Sequence, residues 1–180
     1  MQVRNSRRFI LLIIMLFYAS LCQGGQYGAT LSLPLVAKEP TPINGFQFML
    51  NYNPRYAAWH HLTLYFDGGF SHLTTNTVTY STINIYSAAP VVRYAFKRRG
   101  TLLPYLDLSI GLAYLNHTHL DHRNLGIHMA FQDRIGIGAL FGRNECFALG
   151  IHALHYSNAH LSSHNSGISA PLVLDLGYQF

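Results

Sequence analysis

The chain has 180 residues, 49% hydrophobic, 13% aromatic and only 11% charged, with a formal net charge of +5. An ordinary soluble domain carries about 25% charged residues, and a chain of this length holds one domain with a sizeable core. Beyond the N-terminus no apolar run reaches the roughly 20 residues of a membrane helix, so high apolar content without long runs points to alternating strands.

The first element is a leader. MQVRNSRR is basic, FILLIIMLFYASL is apolar, and CQGG is small or polar, the layout of a secretory signal peptide. Cleavage after Cys22 or Gly24 fits, giving residues 1–24 as signal and 25–180 as the mature domain. Removing Arg4, Arg7 and Arg8 leaves nine Lys and Arg against seven Asp and Glu, which removes the case for a nucleic-acid binder. Cys146 is then the one cysteine left, so no internal disulfide is expected.

Period-two alternation gives eight strands, near 26–34, 44–53, 60–70, 82–96, 103–115, 127–141, 146–157 and 168–180. In the second, Phe46, Phe48, Leu50 and Tyr52 oppose Gln47, Met49 and Asn51. In the fifth, Leu106, Leu108, Ile110, Leu112 and Tyr114 oppose Tyr105, Asp107, Ser109, Gly111 and Ala113. In the last, Leu172, Leu174, Leu176, Tyr178 and Phe180 oppose Val173, Asp175, Gly177 and Gln179.

Such faces suit an all-β, eight-stranded antiparallel transmembrane β-barrel of the bacterial outer membrane better than a soluble sandwich. Apolar faces end in Tyr or Phe, as an aromatic girdle requires. The opposite faces hold Gly, Ala, Ser and isolated charges such as Asp107, Arg134 and Asp175, which fit a narrow packed lumen. The terminal LGYQF resembles an outer-membrane insertion signal. Connections after strands two, four and six are the shorter ones and read as periplasmic turns, leaving residues 155–165 at the cell-surface end.

At that end the seventh strand changes chemistry. Its outward series runs Phe147, Leu149, Ile151, Ala153, then His155 and Ser157. Residues i and i+2 share a face, so an imidazole and a hydroxyl become neighbours at the lipid head groups. An imidazole within reach can take a serine's proton, and the amides of Asn158 and Asn165 are nearby donors for an oxyanion. The alternative is a pair of interfacial polar residues with no chemistry. Asp133 shares the outward parity of Met129, Phe131 and Ile135. It either orients His155 from the neighbouring strand or bonds Arg134, Arg123 or a loop.

HYSNA followed by N-x-G and a final strand resembles the lipid A 3-O-deacylase family (PagL-type, acyloxyacyl hydrolase-like). The resemblance extends through APVVRYAF, PYLDLSIGLAYL and FQDRIGIGALFG and covers residues 88–180. It implies an eight-stranded outer-membrane barrel that hydrolyses the ester-linked acyl chain at the 3-position of lipid A, the lipid anchor of lipopolysaccharide. It further implies Ser157 as nucleophile, His155 as base, Asn165 in the oxyanion hole and Phe131 along the acyl groove. Two positions depart from the family pattern: His160 stands where the family has Gly, and Ser169 where it has the acid of the triad.

His117, His119, His122, His160 and His164 fall in two outer loops without a metal-ligand spacing, and neither a metal nor a cofactor is expected. Arg123 and the loop histidines are candidates to meet lipid A phosphates. The sequence leaves a homo-oligomer open. Two functions stand side by side: a Ser/His lipid A deacylase, and a non-enzymatic lipopolysaccharide-binding or structural barrel without the acidic triad member.

Overall fold

The computed structural model describes residues 25–36, 41–55, 58–142 and 144–180; the expected leader, 1–24, lies outside the described residues. Eight long strands run as β1 (Tyr27–Val36), β2 (Asn44–Tyr52), β3 (Leu62–Thr74), β4 (Thr82–Ala95), β5 (Leu102–Leu115), β6 (Met129–Phe141), β7 (Phe147–Ser157) and β8 (Ile168–Gln179). Each pairs antiparallel with its sequence neighbours, and β1 pairs with β8, so the sheet closes into a barrel. Closure removes the exposed edges that an open sheet would leave. β3 runs four residues beyond the expected end. Buried Ser71 and Leu73 continue its inward series, while His72 bonds Asn84 outside at 2.7 Å and lies against Phe46.

The outer surface is an apolar belt between aromatic rims. At the short-turn end, Tyr27 meets Tyr52, Tyr94 meets Phe96, and Phe147 meets both Phe141 and Tyr178. At the other end Phe46, Phe70 and Tyr86 form a chain of ring contacts. Leu108, Ile110, Leu112, Ile135 and Ile137 are exposed between them. This is the arrangement of a barrel whose solvent is lipid.

The lumen is filled in three tiers. Toward the short turns, Arg93 forks onto Asp107, which also accepts from Tyr65. Arg134 reaches across to Asp67, and Asp175 takes bonds from Ser32 and His152. These pairs border a cavity of about 160 Å³. Above lies a buried layer in which Gln47, Ser71, Gln132 and Tyr156 share hydrogen bonds. Toward the long loops the inward faces turn apolar: Ile43, Leu73, Ile83, Ile85, Leu115 and Leu125 pack together. The strand pattern announced the charges; the apolar plug draws on loop residues that no strand periodicity marks.

Cys146 is buried. The other cysteine, Cys22, lies outside the described residues and inside the expected leader.

Candidate active site at the outer rim

β6, β7 and β8 lie side by side, and their registers build the site. His155 stands opposite Asp133 on β6 and opposite Ser169 on β8, while Ser157 stands opposite Phe131. His155, Ser157, Phe131, Asp133 and Ser169 are all half-buried. His155 and Ser157 share the outer face, as alternation requires.

Ser169 reaches this face because β8 is irregular. His152 pairs with Val173, but Leu154 pairs with Ala170, so Pro171 and Leu172 together oppose Ala153. A bulge of this kind inserts one residue and reverses the parity beyond it. Pro171 fits there because it has no N–H to leave unpaired. Period-two counting from Val173 and Asp175 would turn residue 169 into the lumen. The bulge turns it outward, where Ser169 Oγ lies 2.7 Å from His155 Nδ1.

Gly167 closes the other side of the imidazole. Its φ is +67°, and a Cβ there would come within 2.8 Å of His155 Cε1. A side chain at 167 would therefore displace the ring. Among the described residues no hydrogen bond joins Ser157 Oγ to His155, and Asp133 makes no hydrogen bond or ion pair. The alternatives of Arg134, Arg123 or a loop as its partner do not occur: Arg134 is turned inward to Asp67.

The loop after Ser157 is organised by Asn158, which is fully buried. Its Nδ2 donates to Leu125 O and His164 O, and its Oδ1 accepts from His160 N. Its own N–H donates to Asn165 Oδ1 at 2.9 Å. The Asn158 amide is thus committed to holding two loops together, and the expectation that it stands free for an oxyanion does not hold. Asn165 uses its oxygen on the Asn158 N–H, so its Nδ2 carries the remaining donor capacity. His160 has φ +63° and Ala159 φ +50°. The left-handed backbone that glycine favours is therefore kept with histidine in place, at a steric cost of about 1 kcal/mol.

A second correction concerns Arg123. It is buried, donates to Thr41 Oγ1 at 3.0 Å and Thr41 O at 3.1 Å, and lies 3.6 Å from Asp121. It clasps the β1–β2 and β5–β6 loops rather than facing lipid phosphates. The Thr41 hydroxyl, helped by the His122 backbone, holds Asp121 below its ordinary value against an opposing push from burial. Burial lowers Arg123, and Asp121 partly offsets that. Nothing in the local sequence pairs residue 41 with residue 123. Of the loop histidines, His119 stacks on Tyr80 and His164 Nδ1 meets Ser163 Oγ. Among the described residues no three His, Cys, Asp or Glu side chains are placed to hold a metal.

Residues 26–177 match the model of the lipid A 3-O-deacylase (PagL) family. The chain belongs to that family. The lipid A deacylase PagL of Pseudomonas aeruginosa PAO1 is 34% identical over 109 residues, a stretch covering 61% of this chain and 61% of that protein's length. The crystal structure of the outer membrane enzyme PagL superposes with a TM-score of 0.68 at 25% identity, over 85% of this chain and 99% of that one. Neisserial surface protein A superposes with a TM-score of 0.54 at 14% identity, over 86% of this chain and 96% of that one, a likeness of fold alone. The protein is an outer-membrane β-barrel of the PagL family, with its polar rim at the long-loop end.

Proposed function

We propose that this barrel is an esterase that removes the 3-position ester-linked acyl chain from lipid A in the outer leaflet. Ser157 is the nucleophile, His155 the base and Asn165 Nδ2 a donor to the oxyanion. Ser169 orients the imidazole, and Phe131 lines the acyl groove. The observation that carries this reading is the His155–Ser169 contact of 2.7 Å on the lipid face. With Nδ1–H donated to Ser169 Oγ, the His155 Nε2 lone pair is left to take the Ser157 proton. Hydrolysis then follows the usual two steps: Ser157 Oγ attacks the ester carbonyl and expels the sugar hydroxyl, protonated by His155. Water, activated by the same imidazole, then releases the fatty acid. Catalytic hydrogen bonds such as Ser157–His155 tighten when substrate binds.

A second reading is a non-enzymatic lipopolysaccharide-binding barrel. Ser169 favours it, because a hydroxyl cannot stabilise an imidazolium by charge as a carboxylate does. Mass spectrometry of lipid A from cells carrying the protein, its Ser157→Ala variant or neither separates the two. Loss of one acyl chain with the parent protein alone supports the esterase. Unchanged lipid A in all three, with the barrel folded in the membrane, supports the binding barrel.

A further inference from the structure

The exposed positive charge of the described residues gathers at one end of the barrel. In the long loops Asp121 and Arg123 face each other and cancel. The short turns carry Arg55, Lys97, Arg98 and Arg99 against Glu145. Arg98 pairs with Glu145, which ties the β4–β5 turn to the β6–β7 turn. Lys97 and Arg99 are exposed, and their side chains have no partner among the described residues. Short turns of an outer-membrane barrel face the periplasm, so this charge meets the leaflet opposite the one that holds lipid A.

Beside that turn the lipid-facing surface has a groove. Pro104 on β5 stands opposite Ala139 on β6, and Ala139 stands opposite Leu149 on β7. The short side chains of Pro104 and Ala139 leave a low place in the apolar belt, bounded by Phe96, Ile137 and Leu174. It is an open groove of about 590 Å³ with almost wholly apolar walls. Phe96 is fixed at its edge by its N–H, which donates to Pro104 O at 2.9 Å, and by its ring against Tyr94 at 5.1 Å. Lys97 follows Phe96 directly in the chain. Aromatic rims mark the head-group level of a membrane protein, so Lys97 and Arg99 stand where lipid phosphates lie. The groove runs from them into the hydrocarbon, where an acyl chain is the chemistry that fills it. Its mouth is cationic, which favours an anionic head group by on the order of fivefold per Lys or Arg. A zwitterionic head group brings an ammonium of its own and loses that advantage.

We propose that the groove and the β4–β5 turn form a site for one anionic glycerophospholipid of the periplasmic leaflet. Its phosphate lies on Lys97 and Arg99, and one acyl chain lies along Pro104, Ala139 and Leu149. The site is at the other end of the barrel from Ser157 and stands whether or not the rim hydrolyses lipid A.

The test is native mass spectrometry of the purified full barrel, released from detergent micelles holding equal amounts of dioleoyl phosphatidylglycerol and dioleoyl phosphatidylcholine. The parent protein should retain one phosphatidylglycerol in preference to phosphatidylcholine by about tenfold or more. In Lys97→Gln/Arg99→Gln the ratio should fall toward one while total lipid retention persists. Ala139→Phe fills the groove and should weaken both lipids alike, with heat-modified gel mobility confirming a folded barrel. Glycerophosphoglycerol, the head group without chains, should not displace the retained lipid, and neither should inorganic phosphate at the same concentration. A parent protein without preference overturns the proposal, as does a preference that survives in Lys97→Gln/Arg99→Gln. Displacement by the bare head group or by phosphate would make the turn a plain anion patch and overturn it too. Displacement by soluble peptidoglycan fragments would assign the turn to the cell wall instead. Unchanged retention in a folded Ala139→Phe barrel would remove the groove from the site.

Discussion

Ser169 Oγ stands 2.7 Å from His155 Nδ1 on the outer face of the barrel, in the place where the family resemblance leads one to expect a carboxylate. Accepting Nδ1–H, the hydroxyl supplies the geometric half of a triad acid's task, orienting the ring. It lacks the electrostatic half. Replacing the acid by an amide costs about 10⁴ in turnover in a serine protease, where the amide also imposes the wrong tautomer. A hydroxyl that keeps the tautomer costs less.

Ser169→Glu is accordingly expected to raise turnover on lipid A by about tenfold or more, since it adds the missing charge. Steady-state hydrolysis with parent and variant barrels checks this. Equal rates would mean that charge at residue 169 is not what limits the imidazole.

Much of this was legible in the residues. The eight strands follow from alternation, and their ends agree with the structure to within a few residues because each face meets a different solvent. The outward pairing of His155 and Ser157 follows from the same rule. Three features were not legible. The bulge at Pro171 reverses parity, and a single proline does not reveal which residue it will flip. Asn158 resembles an oxyanion donor in sequence, but its amide holds carbonyls from two loops. Arg123 meets Thr41 across 82 positions, a contact no local pattern encodes.

Gly167→Ala should cost most of the activity while leaving the barrel folded. The added methyl enters the space of the imidazole at 2.8 Å, and a left-handed φ adds strain for any L side chain. The ring is the part free to move, so His155 should leave Ser169. Loss of turnover with unchanged heat-modified gel mobility is the expected pair of results. Full activity would show that the ring position described here is not the catalytic one.

His160→Gly is expected to act in the opposite sense. At φ +63° histidine sits where glycine is at ease, and the bond from residue 160 N–H to Asn158 Oδ1 needs no side chain. Relief of the left-handed strain amounts to about 1 kcal/mol, reduced by the extra freedom glycine gains when unfolded. Urea unfolding from lipid vesicles should shift slightly toward greater stability, with activity kept or raised. A clear loss of stability would assign the imidazole a packing role that its exposed position does not suggest.

The outer clasp gives a prediction in pH. Asp121 is held below its ordinary value chiefly by the Thr41 hydroxyl, with burial opposing and the His122 backbone, His122 and Arg123 assisting. A carboxyl whose folded pKa lies below its unfolded one favours the folded loops when deprotonated. That contribution is complete above the unfolded value and disappears as pH falls through the folded value. Thr41→Val removes the largest of the lowering influences and one acceptor of Arg123, while Thr41 O, a backbone atom, still accepts from Nη2. The folded value should then rise, so the clasp should open at a higher pH than in the parent. Amide exchange across residues 116–128, compared between the two proteins at each pH so that intrinsic rates cancel, reads this directly. The parent loop should stay protected further into acid than the variant. Superimposable curves would mean that the Thr41–Asp121 bond does not hold the loops, and that the apolar plug beneath them does so alone.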